Sequence, residues 1–172
     1  MREAPDFERF MKSYRFKHIR QMVMYSKADL SASQIDPWAM FRHMVNDFNN
    51  NRATALQPGM TQTLDESMSS YKPRKDKRGG LPNISFILRK PKPLGTEFKT
   101  MCDADTGVMT WVEVQEGRTA MRQKAFSRDM GTTCATVVRA MESTAIQPGT
   151  TLLGDSWFAS VKVRRCMNVH ES

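Results

Sequence analysis

Apolar residues in the first third of the chain recur at helical spacing. Over residues 6–25 this pattern predicts helical structure, carried by Phe7, Phe10, Met11 and Tyr14. Ser13 is a candidate cap for a second helix within that range. A stronger helix is predicted over residues 37–50, where Asp36 is a suitable N-cap and Pro37 suits the first turn. The aromatic residues of these helices are interpreted as core.

After residue 58 the pattern changes to short β-prone segments. Strands are predicted at residues 60–68, 84–88, 97–102, 108–115 and 151–153, the last one buried. The sequence DADTG, residues 103–107, predicts a turn that joins two of them in a hairpin. Helices are predicted at residues 132–143 and 157–167, and a polar loop at 118–129. This order predicts an α+β chain of α/β-like character, with helices first and a mixed sheet after them.

Composition narrows the class of protein. The 172 residues are 40% hydrophobic and 26% charged, which is typical of one globular domain. No apolar run approaches the roughly 18 residues of a membrane span, and the charged N-terminus does not fit a secretory signal. The three cysteines indicate a reducing compartment, the cytosol or the nucleus. Integral membrane proteins and secreted disulfide scaffolds are therefore not expected.

The positive charge is concentrated in one segment. Residues 71–99 carry nine basic and two acidic residues, whereas the whole chain has a net charge of +8. The basic residues are Lys72, Arg74, Lys75, Lys77, Arg78, Arg89, Lys90, Lys92 and Lys99. Such a stripe is the electrostatic pattern expected for a polyanionic partner such as DNA, although a solvated basic loop gives the same pattern.

Two carboxylates stand at the ends of predicted strands. Asp65 lies where the first strand meets a polar loop, and Asp155 follows the short apolar segment TLLG. Carboxylates at neighbouring strand ends can converge on Mg²⁺, which prefers hard oxygen ligands. Aspartates are also common in turns and caps, so the pattern alone leaves a structural role open.

Several motifs in a fixed order resemble the piggyBac transposase family. They are LDESM from residue 64, FILRKPKPLGTEFK at 86–99, CDADTG at 102–107 and GDSWFAS at 154–160. The N-terminal segments SYRFKHIRQMV and DPWAMFRHMVNDFN are similar to the family's helices before its first catalytic strand. The resemblance extends over about residues 5–170.

The resemblance implies an RNase H-like fold with a DDE/D active site. A helical N-terminal segment would occupy residues 1–58, and the first half of the RNase H-like mixed sheet residues 59–172. Asp65 and Asp155 would bind Mg²⁺ for hydrolysis of a DNA strand, followed by attack of the freed 3′-hydroxyl on a target phosphodiester. The basic residues of 72–99 would follow the DNA backbone. A nuclear protein and a homodimer are further implications.

Departures from the family pattern bear on activity. The family's third acidic residue has no counterpart by position, and YKPRKDKRGG replaces a compact Arg-Gly-Arg element. Ser156 and Ala159 replace Asn and Thr of the second motif. We therefore expect a truncated DDE domain, inactive alone. The alternatives are a non-catalytic nucleic-acid-binding module that uses the basic segment, and a non-functional gene fragment.

Overall fold

The computed structural model describes residues 9–22, 36, 38–70, 83–158 and 163. Its helices are α1 (Ser13–Met22), α2 (Ala39–Ala55), α3 (Arg118–Gln123), α4 (Ser127–Met130) and α5 (Thr132–Thr144). Its strands are β1 (Thr61–Ser70), β2 (Ser85–Phe86), β3 (Leu94–Asp103), β4 (Met109–Val114) and β5 (Thr151–Gly154). The chain divides into two compact units, Met1–Phe41 and Arg42–Ser172. The predicted boundary after residue 58 stays a prediction.

The first unit contains α1, which lies within the range predicted to be helical. Ser13 is its first residue, and the parts of the prediction at 6–8 and 23–25 fall outside the described residues. Phe10 and Tyr14 were predicted to be core, but Phe10 is 78% exposed and Tyr14 is 66% exposed. Among the described residues, no helix has the length and apolarity needed to cross a membrane.

Helix α2 begins as the sequence predicts and runs further than predicted. The Asp36 carboxylate accepts a hydrogen bond from the Trp38 backbone N–H at 3.0 Å, which is an N-cap contact. The helix was expected to end at its run of asparagines but continues to Ala55. The Asn49 amide exchanges two hydrogen bonds with the Val112 backbone, at 2.8 and 3.0 Å, so this side chain is engaged by the sheet and does not cap the helix end. This asparagine joins the helix to strand β4.

The second unit is built on a mixed five-stranded sheet. The strand order is β2–β3–β1–β5, with β4 also paired to β3. β1 runs antiparallel to β3 and parallel to β5. β3 and β4 form the predicted hairpin around DADTG. β2 has only two residues where five were predicted, and β3 begins earlier than predicted, at Leu94.

The Asp103 side chain organises the hairpin turn. It accepts hydrogen bonds from the Thr106 hydroxyl at 2.8 Å, the Thr106 N–H at 2.9 Å and the Gly59 N–H at 2.7 Å. These bonds lower the pKa of Asp103 from 3.8 to about 2. The same carboxylate therefore fixes the turn and ties it to the segment that enters β1.

Helix α5 supplies the core that supports the sheet. Val137 and Val138 are fully buried, as predicted for this helix, and the core cluster joins Val137 to Leu64, Met101 and Trp111 of three strands. Burial of this apolar surface is the main force that holds the helix against the sheet.

Two predictions in this unit are wrong. Residues 118–129 were predicted to be a loop but contain α3 and most of α4. Arg139 of α5 fixes this segment by donating hydrogen bonds to the Ala125 carbonyl at 2.8 Å and to the Ser127 hydroxyl at 3.2 Å. Strand β5 is largely exposed instead of buried, because within the described residues it pairs with β1 alone. The helix predicted at 157–167 lies mostly outside the described residues, among which Val163 is helical and buried.

Candidate metal and nucleic-acid site

The sheet register brings the two predicted aspartates together. β1 and β5 are parallel neighbours, and Leu64 pairs with Gly154. Asp65 and Asp155 each follow the last residue of the β1–β5 pairing, so they lie side by side where β5 ends. The prediction that Asp65 stands at the end of its strand is wrong, because β1 continues to Ser70 through its pairing with β3. Carboxylate oxygens of Asp65, Glu66 and Asp155 lie within 4.8 Å of one another. In the ranges that the structure describes, this is the one group of three or more acidic, cysteine or histidine side chains close enough to share a metal ion.

Asp155 is held by the turn that follows β5. Its Oδ1 accepts a hydrogen bond from the Trp157 N–H at 2.9 Å, and its carbonyl accepts one from the Phe158 N–H at 3.1 Å. Gly154 lets this turn fold tightly, because a Cβ at that position would lie 2.8 Å from the Phe158 Cβ. The side chain is 41% exposed, so it is oriented by the turn and open to solvent.

Asp65 is fixed by its own strand and by the neighbouring strand β3. Its Oδ1 accepts a hydrogen bond from the Glu66 N–H at 2.7 Å, and its carbonyl accepts one from the Thr100 hydroxyl at 3.2 Å. The side chain is exposed, on the strand face opposite to buried Leu64. Burial, with a smaller contribution from the Asp65 charge, raises the pKa of the Cys102 thiol. Cys102 therefore stays a neutral thiol beside the carboxylates.

Glu66 belongs to the acidic group and was not selected from the sequence. It is 8% exposed and accepts a hydrogen bond from Arg89 at 3.0 Å and from Lys99 at 3.3 Å. The Lys90 ammonium binds its backbone carbonyl at 3.0 Å. No signal in the sequence indicated this, because side chains alternate between faces of a strand and the adjacent Asp65 and Glu66 are expected to point apart. Its partners depend on strand pairing, which the sequence does not display.

The basic residues are placed in very different surroundings. Lys99 is buried between Glu66 and Glu97, with its ammonium 2.7 Å from Glu97, and lies 4.0 Å from the centre of the Trp157 ring. Arg89 and Lys92 are exposed and Lys90 is half-buried. Lys72, Arg74, Lys75, Lys77 and Arg78 lie outside the described residues. Within the described part of this segment, Arg89 and Lys90 contact Glu66 and Lys92 is exposed, whereas the Lys99 charge is neutralised internally.

The donor set of the acidic group fits a hard divalent cation. Asp65 and Asp155 offer exposed carboxylate oxygens, which such ions prefer, and the open surroundings leave room for coordinating waters. Glu66 is less suited as a ligand, because two cations already bind it. The arrangement provides two oriented carboxylates on a surface flanked by positive charge.

Comparison with known proteins gives two matches. A family model described as Transposase IS4 matches residues 2–169. A structure of similar fold is the cryo-EM structure of the piggyBac transposase synaptic complex with hairpin DNA, with a TM-score of 0.69 and 18% sequence identity. No curated protein matches the chain.

The structural match covers 92% of this chain and 33% of the piggyBac transposase chain, so the present chain spans about one third of that protein's length. At this level of identity the likeness concerns the fold. It confirms the predicted α+β architecture, with helices and part of an RNase H-like mixed sheet.

Proposed function

This chain belongs to the Transposase IS4 family and is piggyBac-like, and on that basis we propose that it is the Mg²⁺- and DNA-binding part of a transposase catalytic domain. The observation that carries the proposal is the meeting of Asp65 and Asp155 where the parallel pairing of β1 with β5 ends. An ordinary pair of turn aspartates would not need to converge from strands that are far apart in sequence.

Asp65 and Asp155 are the metal ligands in this proposal. When bound, Mg²⁺ supplies Lewis-acid stabilisation of the charge that develops on a phosphodiester during cleavage. The protein's part is orientation, since backbone N–H groups hold Oδ1 of each aspartate. Glu66 then acts through its neighbour, as the buried carboxylate that holds Lys99 beside the site.

DNA is the proposed partner of the basic surface. Arg89, Lys90 and Lys92 lie on the segment that contacts the acidic group, and the sequence adds five basic residues at 72–78. Phosphate contacts of this kind position a duplex without reading its sequence, and they weaken as salt rises. The piggyBac structure of similar fold is a complex with hairpin DNA, which supports the same partner here. Lys99 is left out of this surface because its charge is neutralised internally.

Catalysis belongs, in this proposal, to a longer protein. Two aspartates do not complete a DDE site, and Glu66 is engaged by two cations. We therefore expect residues 1–172 alone to bind DNA without cutting it. A nuclear location and a homodimer belong to the proposal as implications of the family resemblance.

A DNA titration tests the proposal. Fluorescence anisotropy with a labelled duplex should give an affinity that falls steeply between about 50 and 200 mM salt. The logarithm of the binding constant should fall linearly with the logarithm of the salt concentration, with the slope expected for several phosphate contacts. Replacing Lys92 by alanine should reduce that slope by about 1. A salt-independent affinity, or an unchanged slope in the variant, would contradict the proposed DNA surface.

A second candidate function is DNA binding without any catalytic role. It is favoured by the ion pairs of Glu66 with Arg89 and Lys99, which leave only the two aspartates of the acidic group available to bind a metal ion. The discriminating variant is Asp155→Asn, which this alternative expects to change neither DNA affinity nor any Mg²⁺ dependence of the complex. Plasmid nicking that requires Mg²⁺ and disappears in Asp65→Ala would overturn both this alternative and the expected inactivity of residues 1–172.

A further inference from the structure

Arg89 lies between two carboxylates of the acidic group. Its Nη2 is 3.0 Å from Glu66 Oε2 and 4.0 Å from Asp155 Oδ2. One guanidinium nitrogen therefore faces both a buried and an exposed member of a group in which three carboxylates lie within 4.8 Å of one another. Like charges at this spacing repel, and the guanidinium charge offsets the repulsion.

The two cations that hold Glu66 differ in how readily they can leave. The Lys99 side chain is 4% exposed and is fixed by Glu97 and the Trp157 ring. The Arg89 side chain is 61% exposed. An exposed ion pair contributes little to stability, so Arg89 can leave the carboxylates while Lys99 still neutralises Glu66.

From this asymmetry we propose that Arg89 is an exchangeable counter-cation that competes with a divalent metal ion for the acidic group. The inference rests on the proposed function, because it takes Asp65 and Asp155 as the metal ligands. A divalent ion beside Asp155 would be repelled by the guanidinium charge, so metal binding requires Arg89 to swing outward. Arg89 thus sets the metal affinity of the site without being a ligand.

The test is a titration of the full chain with Mn²⁺ alone, without DNA, at about 0.15 M salt, where exposed charges farther than about 8 Å are screened. Free Mn²⁺ is followed by electron paramagnetic resonance. Arg89→Ala should bind Mn²⁺ about two- to fivefold more tightly than the wild type, the range that an exposed ion pair represents. Arg89→Lys keeps the charge and should lie closer to the wild type.

The matched control is Lys92→Ala, which removes an equal charge from the same segment but from a residue outside the acidic group. Its Mn²⁺ affinity should equal that of the wild type. An Arg89→Ala affinity that is unchanged or weaker, or an equal gain in Lys92→Ala, would overturn the inference. Urea unfolding verifies that Arg89→Ala stays folded, as expected because Lys99 still pairs with Glu66.

The same titration separates this inference from the proposed function. If Asp65→Asn and Asp155→Asn lose Mn²⁺ binding while Arg89→Ala gains nothing, the metal site stands and only the role of Arg89 fails. If Mn²⁺ binds equally well to both aspartate variants, the proposed metal site is wrong, and the inference fails with it.

Discussion

Lys99 offers the sharpest test of how the acidic group is supported, through the substitution Lys99→Met. The ammonium is buried and contacts Glu66 at 3.3 Å and Glu97 at 2.7 Å, and it lies over the Trp157 ring. Methionine keeps the length and apolar stem of lysine while it removes the charge. The variant therefore isolates the ionic and cation–π contacts from the packing of the side chain.

The expected cost follows from what each carboxylate loses. Removing one partner of a buried ion pair destabilises a protein by about 3–5 kcal/mol. Here the lower end applies, about 3 kcal/mol, because Glu66 keeps Arg89 and the Glu97 side chain is 13% exposed. With a urea m-value of about 2 kcal/mol/M, the unfolding midpoint should fall by about 1.5 M.

The assay is urea unfolding followed by tryptophan fluorescence and circular dichroism. Lys92→Met is the control, since it removes an exposed charge and should change the free energy of unfolding by less than about 0.5 kcal/mol. Adding Glu97→Gln to Lys99→Met should recover part of the loss, because it removes the stranded carboxylate. A loss of less than about 1 kcal/mol in the free energy of unfolding of Lys99→Met would refute this account. So would a decrease in the salt dependence of DNA binding in Lys99→Met as large as the decrease in Lys92→Ala, because it would show that Lys99 contacts DNA.

Two further predictions concern contacts that shape the sheet. Asp103→Asn should destabilise the fold at neutral pH, because the Asp103 carboxylate accepts hydrogen bonds from Thr106 and Gly59 that lower its pKa. Since the pKa of Asp103 is lower in the folded state than in the unfolded state, this contribution to stability is full above pH 3.8. It is lost as the pH falls to about 2. Thermal unfolding across that range should show the gap between wild type and variant closing, and a constant gap would contradict it. Asn49→Ala should lower the free energy of unfolding, measured with urea, by about 1–3 kcal/mol, because the Val112 N–H and carbonyl lose their partners. An unchanged free energy of unfolding would show that water replaces the amide.

The sequence predicts those parts of the fold that depend on local chemistry. The Asp36 cap, helix α5 with its buried valines and the DADTG hairpin all follow from short patterns. The end of α2 could not be read this way, because Asn49 has its partners 63 positions away on β4. The helices within 118–130 were missed for a similar reason, since Arg139 of α5 binds the Ala125 carbonyl between them and the Ser127 hydroxyl.

In the candidate site, too, local sequence predicted some residues and strand pairing determined the others. Asp65 and Asp155 were selected from predicted strand ends and from motifs, and the structure brings them together, although Asp65 lies inside β1. Glu66 and the burial of Lys99 were not foreseen, because both depend on which residues of β1, β3 and the 155–158 turn meet across the sheet. Residue type identified the charges, and strand register decided which of them remain available at the surface.

The central claim is that Asp65 and Asp155 jointly hold a divalent metal ion. The most direct measurement is a crystal structure of the full chain grown with Mn²⁺, with data collected at an X-ray energy where manganese scatters anomalously. We predict an anomalous peak bonded to a carboxylate oxygen of each aspartate, with Arg89 turned away and Glu66 still paired with Lys99. A peak bonded to neither aspartate, or no peak at millimolar Mn²⁺, would contradict the claim.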